Sequence, residues 1–327
     1  MTDALFQLLL FSSKALILLL FILFLLAGIL SLLGRGKSKM QGNISIEHLN
    51  EKYTNIKNTL SKEVLSKADF KQFKKAAKQK KEVVSRKKIF VLHFHGDIKG
   101  SDVASLREEI TAVLCVARPT DEVVITIESG GGMVHAYGLA AAQLARLRQK
   151  NIPLTVIVDK IAASGGYMMA CIGNKVLAAP FALIGSIGVV VQLPNFHRLL
   201  KNNHIDFEQI TAGNYKRTLS LFGENTKEGR EKVREEAEEI HDLFKALIEE
   251  HRPQLNMALV STGEVWTGAK ALQLKLVDAL TTSDDYLLSQ HESADLYEIT
   301  YHTKKSFSEK IFGGVSALRK DLTGSVI

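Results

Sequence analysis

An α/β fold built on a mostly parallel sheet is predicted by three features of this chain. Short apolar runs alternate with amphipathic stretches of helical period, the alternation recurs from residue 89 onward, and glycine-rich turns mark the strand-to-helix junctions. With 327 residues, of which 46% are hydrophobic and 24% charged, the chain has material for one or two domains with a full-sized core.

The elements follow in order. Residues 89–95 read as a strand, 103–116 as an amphipathic helix and 123–128 as a second strand. A glycine loop, 129–132, leads into an Ala- and Leu-rich helix over 133–149. Residues 154–158 form a third strand, 162–167 a small-residue turn that opens a short helix, and 175–179 and 187–192 two more strands. The stretch 176–194 is apolar enough to suggest a membrane segment. Pro180, Gly185, Ser186, Gly188 and Gln192 favour short buried strands joined by turns instead. A long charged helix over 226–251, solvated or facing another subunit, precedes a turn at 262–268, a helix from Ala269 and a closing strand at 276–278.

Ahead of this core the composition changes twice. Residues 15–33 are 19 uncharged positions in which Ser31 is the one strongly polar side chain, long enough at about 1.5 Å per residue to cross a hydrocarbon core. The run exceeds the apolar stretch of a signal peptide, no A-x-A site follows, and Arg35, Lys37 and Lys39 form a stop-transfer flank. Residues 1–34 are therefore expected to be a membrane anchor. Residues 35–88 hold 16 Lys/Arg against 5 Asp/Glu, a surplus of 11; because the whole chain carries +7, the remainder is acidic by 4. Such a run, without a base-stacking array of aromatics, fits a helical stalk near anionic lipid headgroups better than a nucleic-acid site. The catalytic unit is expected over 89–303, with a basic tail over 304–327. Cys115 and Cys171 lie in apolar stretches without metal-like spacing and read as core residues; no metal or cofactor is expected.

The chemistry concentrates in the core. Ser164 stands at the tip of the turn Ala162-Ala163-Ser164-Gly165-Gly166-Tyr167, where the glycines let a substrate backbone come close. A hydroxyl is a poor nucleophile and needs a base within reach. His93, His95, His135, His197 and His204 are candidates, yet none sits in a recognisable motif, and the alternation of His93 and His95 along a strand is the pattern of packed or surface groups. Lys216, after the turn Gly213-Asn214-Tyr215, is the other candidate. To accept a proton it must be neutral, which requires a desolvated seat, whereas a lone lysine is ordinarily a surface charge. The loop Ser129-Gly130-Gly131-Gly132 offers free amides at a helix start, where negative charge is favoured. It lacks the GxxxxGK[ST] and GxGxxG patterns, so nucleotide binding is weakly supported. With the Gly165 amide it can supply two donors to an oxyanion.

Taken in order, Ser129-Gly130-Gly131-Gly132, Ala162 to Tyr167, Gly185-Ser186-Ile187-Gly188 and Gly213-Asn214-Tyr215-Lys216-Arg217 resemble the signal peptide peptidase A family of serine proteases over roughly residues 85–300. The resemblance implies a Clp/crotonase-like fold of repeated β-β-α units and a serine endopeptidase with a Ser-Lys dyad. Ser164 would be the nucleophile and Lys216 the general base, with Ser186 orienting the lysine amine and the amides of Gly131 and Gly165 forming the oxyanion hole. It further implies short apolar peptides or remnant signal peptides as substrates, an acyl-enzyme intermediate and anchoring in the bacterial inner membrane. Homo-oligomers, in which the lysine can come from a neighbouring protomer, are implied as well. The basic flank argues for a cytoplasmic catalytic unit, while relatives of this kind carry it outside, so the membrane side stays open. One departure stands out: Gly130 replaces the family's usual proline, leaving the loop without its stiffening residue. A crotonase-type enzyme acting on acyl thioesters, or a catalytically weak membrane scaffold, are the alternative readings.

Overall fold

The computed structural model describes residue 7 and residues 10–22, 42–79 and 86–303. Two compact units are present, residues 1–43 with 302–327, and residues 44–301. In the first, helix α1 covers residues 10–22 and exposes its apolar side chains. Among the described residues no helix is long and apolar enough to cross a membrane. Residues 1–6, 8–9 and 23–34 of the expected anchor, 35–41 and 80–85 of the expected stalk, and the expected tail, 304–327, lie outside the described residues.

After α1 the described chain continues with β1 (Asn43–His48), α2 (Leu49–Val64) and α3 (Lys67–Gln79). It then alternates β2 (Lys87–Gly96), α4 (Val103–Val116), β3 (Glu122–Ser129), α5 (Val134–Gln149) and β4 (Leu154–Val158). Around the serine turn come β5 (Ile161–Ala163), α6 (Gly165–Ala170), β6 (Lys175–Ala178) and β7 (Leu183–Gly185). The C-terminal part holds α7 (His197–Asn202), α8 (Lys227–His251), α9 (Met257–Val260), β8 (Val265–Thr267), α10 (Gly268–Gln273), β9 (Ala279–Leu280), α11 (Ser283–Gln290) and β10 (Ala294–His302).

The fold is α/β with one mixed sheet, whose main path among the described residues is β1-β10-β2-β3-β4-β6-β9. From β10 to β9 every neighbouring pair on that path is parallel. Central parallel strands are covered on both faces, and β2 accordingly buries Ile89, Phe90, Val91, Leu92 and Phe94 in succession. Helix α4 covers one face with Val103, Leu106, Ile110 and Val113, the spacing of a single helical stripe. Each such side chain stabilises the fold by about 1.5–3 kcal/mol. A side layer branches from the end of β3: β5 joins through the pair Ser129 and Ala162, runs parallel to β7, and β7 pairs antiparallel with β8. This layer brings the glycine loop, Ser164 and Ser186 to one end of the sheet.

Several elements differ from expectation. Residues 187–192 form no strand; the strand is Leu183–Gly185, because Gly185 (φ 112°) and Ser186 (φ 50°) turn the chain, and Val190 and Val191 beyond them are exposed. The start of the small-residue turn is itself a strand, β5. The closing strand lies at Ala279–Leu280, while Leu276 and Val277 are buried in the turn before it. Cys115 is exposed, since it falls off the buried stripe of α4; Cys171 is buried as expected. Within the stretch expected as a stalk, β1 joins the sheet edge, Leu49 is buried, and Asn50 bonds the backbone of His291, Ala294 and Leu296.

Candidate active site

Ser164 occupies the corner between β5 and α6 with φ 52° and ψ −119°, a region that an L-residue enters only where its surroundings hold it. The backbone supplies that hold. The Ser164 amide donates to the Gly185 carbonyl at 2.8 Å, and its carbonyl accepts from the Met168 amide at 2.9 Å in the first turn of α6. The hydroxyl is thereby carried on a fixed corner, half-buried.

The glycine loop is seated directly against this corner. Gly131 has φ 88°, and a Cβ there would come within 2.6 Å of the Gly165 amide nitrogen and 2.7 Å of Ser164 Cβ, so only glycine fits. Its amide donates to Ser129 Oγ at 3.0 Å. Gly165 is packed so closely on Tyr137 that a Cβ would run into the ring. Gly130, by contrast, has room: a Cβ would meet only Ile161 Cδ1, at 3.8 Å. Beside Ser164 lies a cavity of about 70 Å³ walled by Tyr137, Met168, Val189, Ile240 and Phe244, with no histidine in its lining.

His93 and His95 are engaged elsewhere along their strand, as their alternation suggests. His93 bonds Thr126 Oγ1 through Nδ1 at 2.6 Å and has Nε2 3.6 Å from Glu298, and His95 lies 3.7 Å from Glu128. Lys216 sits on an exposed turn and borders a groove of about 350 Å³ with Val191, Leu193, Val233, Glu236 and Ile240. Ile240 borders this groove and the Ser164 cavity alike. Ser186 follows β7 with its amide on the Glu264 carbonyl at 2.6 Å. Among the described residues no hydrogen bond joins Ser164 Oγ, Ser186 Oγ and Lys216 Nζ to one another.

Two residues of the site escape sequence reasoning. Tyr137 is fully buried in the first turns of α5, and its hydroxyl lies 2.5 Å from Ser129 Oγ, itself 2% exposed. Burial pushes the Tyr137 phenol up, against the pull of the Ser129 hydrogen bond, so it stays protonated and able to donate. The only trace in the sequence is an aromatic residue in a helix otherwise rich in Ala and Leu. Phe244 on α8 is the second, buried one turn before Ile248 in an otherwise charged helix.

Two family profiles divide the chain between them: peptidase family S49 N-terminal over residues 3–144 and peptidase family S49 over residues 146–297. The chain belongs to peptidase family S49. It is a serine peptidase, and the acyl-thioester reading falls with that assignment. A probable protease SohB from Buchnera aphidicola subsp. Schlechtendalia chinensis is 47% identical over 304 residues, spanning 88% of this chain and 98% of that protein. The probable protease SohB of Haemophilus influenzae is 44% identical over 317 residues, spanning 92% and 90%. Among solved structures, the 1510-N membrane-bound stomatin-specific protease in complex with a substrate peptide aligns with 14% identity over 72% of this chain and 100% of that one, at a TM-score of 0.44.

Proposed function

We propose that this S49 peptidase is a membrane-anchored endopeptidase in which Ser164 attacks the peptide carbonyl and Lys216 of a neighbouring copy is the general base. The observation that carries the proposal is the strained Ser164 corner, packed against both Gly131 and Gly165 beside an apolar cavity. Neutral Lys216 takes the Ser164 proton as Oγ bonds to the carbonyl carbon, and the resulting ammonium protonates the leaving amine. The amide of Gly165 and that of Gly131, exchanging Ser129 Oγ for the substrate oxygen, stabilise the oxyanion. Water, deprotonated by the same lysine, then releases the acyl group. Ser186 orients the amine.

Sharing of the dyad is supported by the exposure of Lys216. A lysine base needs a desolvated seat, and the apolar side chains exposed around it, including Val190, Val191, Tyr215 and Phe222, suit cover by a second copy. The fold is taken as Clp/crotonase-like, the side layer of β5, β7 and β8 serving as the platform of the site. The small apolar cavity favours short apolar peptides or remnant signal peptides, paired in extended form along residues 187–195. The uncharged run 15–33 and the basic stretch after it support a single-pass anchor in the bacterial inner membrane, beside lipid headgroups. Incubation with a fluorophosphonate, followed by peptide mapping, tests the nucleophile: label on Ser164, lost in Ser164→Ala together with peptide hydrolysis, is expected. Label elsewhere, or hydrolysis by the variant, contradicts it.

A further inference from the structure

We propose that Tyr137 is a positioning residue that holds both donors of the oxyanion hole at once, Gly165 through its ring and Gly131 through its hydroxyl. The inference rests on Ser164 being the nucleophile. The ring is immobilised by full burial and an edge-on contact with Phe94, with ring centroids 6.1 Å apart and planes at 83°. Gly165 packs against the base of that ring, too close for any side chain. The amide after the nucleophile is therefore fixed by contact with Tyr137.

The hydroxyl reaches the other donor through a chain of hydrogen bonds. Tyr137 Oη lies 2.8 Å from the Asp97 carbonyl and shares the 2.5 Å contact with Ser129 Oγ, which accepts the Gly131 amide at 3.0 Å and lies 3.3 Å from the Gly96 carbonyl. Two hydroxyl protons serve this cluster, and two arrangements satisfy it. In one, Tyr137 donates to Asp97 and Ser129 donates to Tyr137. In the other, Tyr137 donates to Ser129 and Ser129 donates to Gly96. Ser129 Oγ receives the Gly131 amide in both, but in the second it already accepts a strong donor and holds that amide less. The cluster thus keeps the Gly131 peptide aimed while leaving its N–H exchangeable for a developing oxyanion. The anchor of this loop thus comes from α5 rather than from the loop's own backbone.

The test is steady-state hydrolysis of a quenched-fluorescent apolar peptide by the full-length protein in detergent, with fluorophosphonate labelling in parallel. Variants are Tyr137→Phe, Ser129→Ala and the pair. Tyr137→Phe keeps the ring and loses the hydroxyl. It is expected to lower kcat on the order of tenfold, the effect of one buried hydrogen bond, with KM changed less than about twofold. Ser129→Ala is expected to match it, and the double variant to fall no further, because the two act as one unit. A Tyr137→Phe enzyme with parental kcat, a loss confined to KM, or losses that multiply in the double variant would each overturn the inference while labelled Ser164 leaves the parent reading standing. If Tyr137→Phe does not fold, the kcat and KM of Ser129→Ala decide in the same way. An unlabelled parental Ser164 would remove both.

Discussion

The Ser164 amide and the Gly185 carbonyl are joined at 2.8 Å, so the Ser164 corner is pinned to the end of β7, one residue before Ser186. The pin depends on an unusual backbone. Gly185 has φ 112°, and a Cβ there would lie 2.7 Å from the Trp266 ring and 2.9 Å from the Glu264 carbonyl. Gly185→Ala should therefore lower stability by on the order of 1–3 kcal/mol and slow fluorophosphonate labelling of Ser164, because the strain is relieved by moving the strand end. Urea unfolding and the labelling rate check it; a parental midpoint with parental labelling contradicts it.

The two neighbouring glycines of the loop should behave oppositely. Gly131→Ala puts a methyl group against the Gly165 amide and Ser164 at a positive φ, so labelling should fall by more than about tenfold in a folded protein. Gly130→Ala meets ordinary contact only and is expected to raise stability by roughly 0.4–1 kcal/mol through the unfolded chain, with labelling retained. Equal effects of the two substitutions would show that the loop is not seated as described.

Stability should fall with rising pH through one buried carboxyl. Glu109 is 4% exposed on α4 and its Oε1 accepts the Tyr301 amide at 2.8 Å. Burial pushes its carboxyl up to about 7, against the Tyr301 hydrogen bond and with help from Asp102. The native state therefore binds this proton more tightly than the unfolded chain does. Its contribution is full below the ordinary value of 4.5 and is lost as pH rises through about 7. Glu109→Gln removes the titration, so the variant should gain on the parent between about pH 5 and about pH 8, by on the order of 2 kcal/mol. Urea midpoints of both proteins across that range measure it; a constant difference contradicts it.

The regular elements were legible where one periodicity ruled. Helix α4 falls where its apolar spacing predicts, and β4 does likewise, because each buries a single stripe or a continuous run against one core. The run at 187–192 has the same composition as a buried strand but follows Gly185 and Ser186, whose positive φ values turn it out of the sheet; composition carries no information about what covers it. Ser164 and the glycine loop were readable as small-residue turns between apolar runs. Their closeness was not, since it arises from the single residue pair that attaches β5 to β3. The link between Tyr137 and Ser129 was invisible for a related reason: a hydrogen bond between a loop and the next helix leaves no period in the sequence.

Subunit complementation tests the central claim most directly. Ser164→Ala and Lys216→Ala proteins should each be inactive toward an apolar peptide. Co-folded in equal amounts, they should recover activity, because a mixed assembly can pair an intact Ser164 with an intact Lys216 from the other chain. Recovery to roughly a quarter of the parental rate is the expected scale if subunits mix at random and each site draws on two chains. Two inactive proteins that stay inactive when mixed, or a Lys216→Ala protein that hydrolyses the peptide alone, would contradict the account.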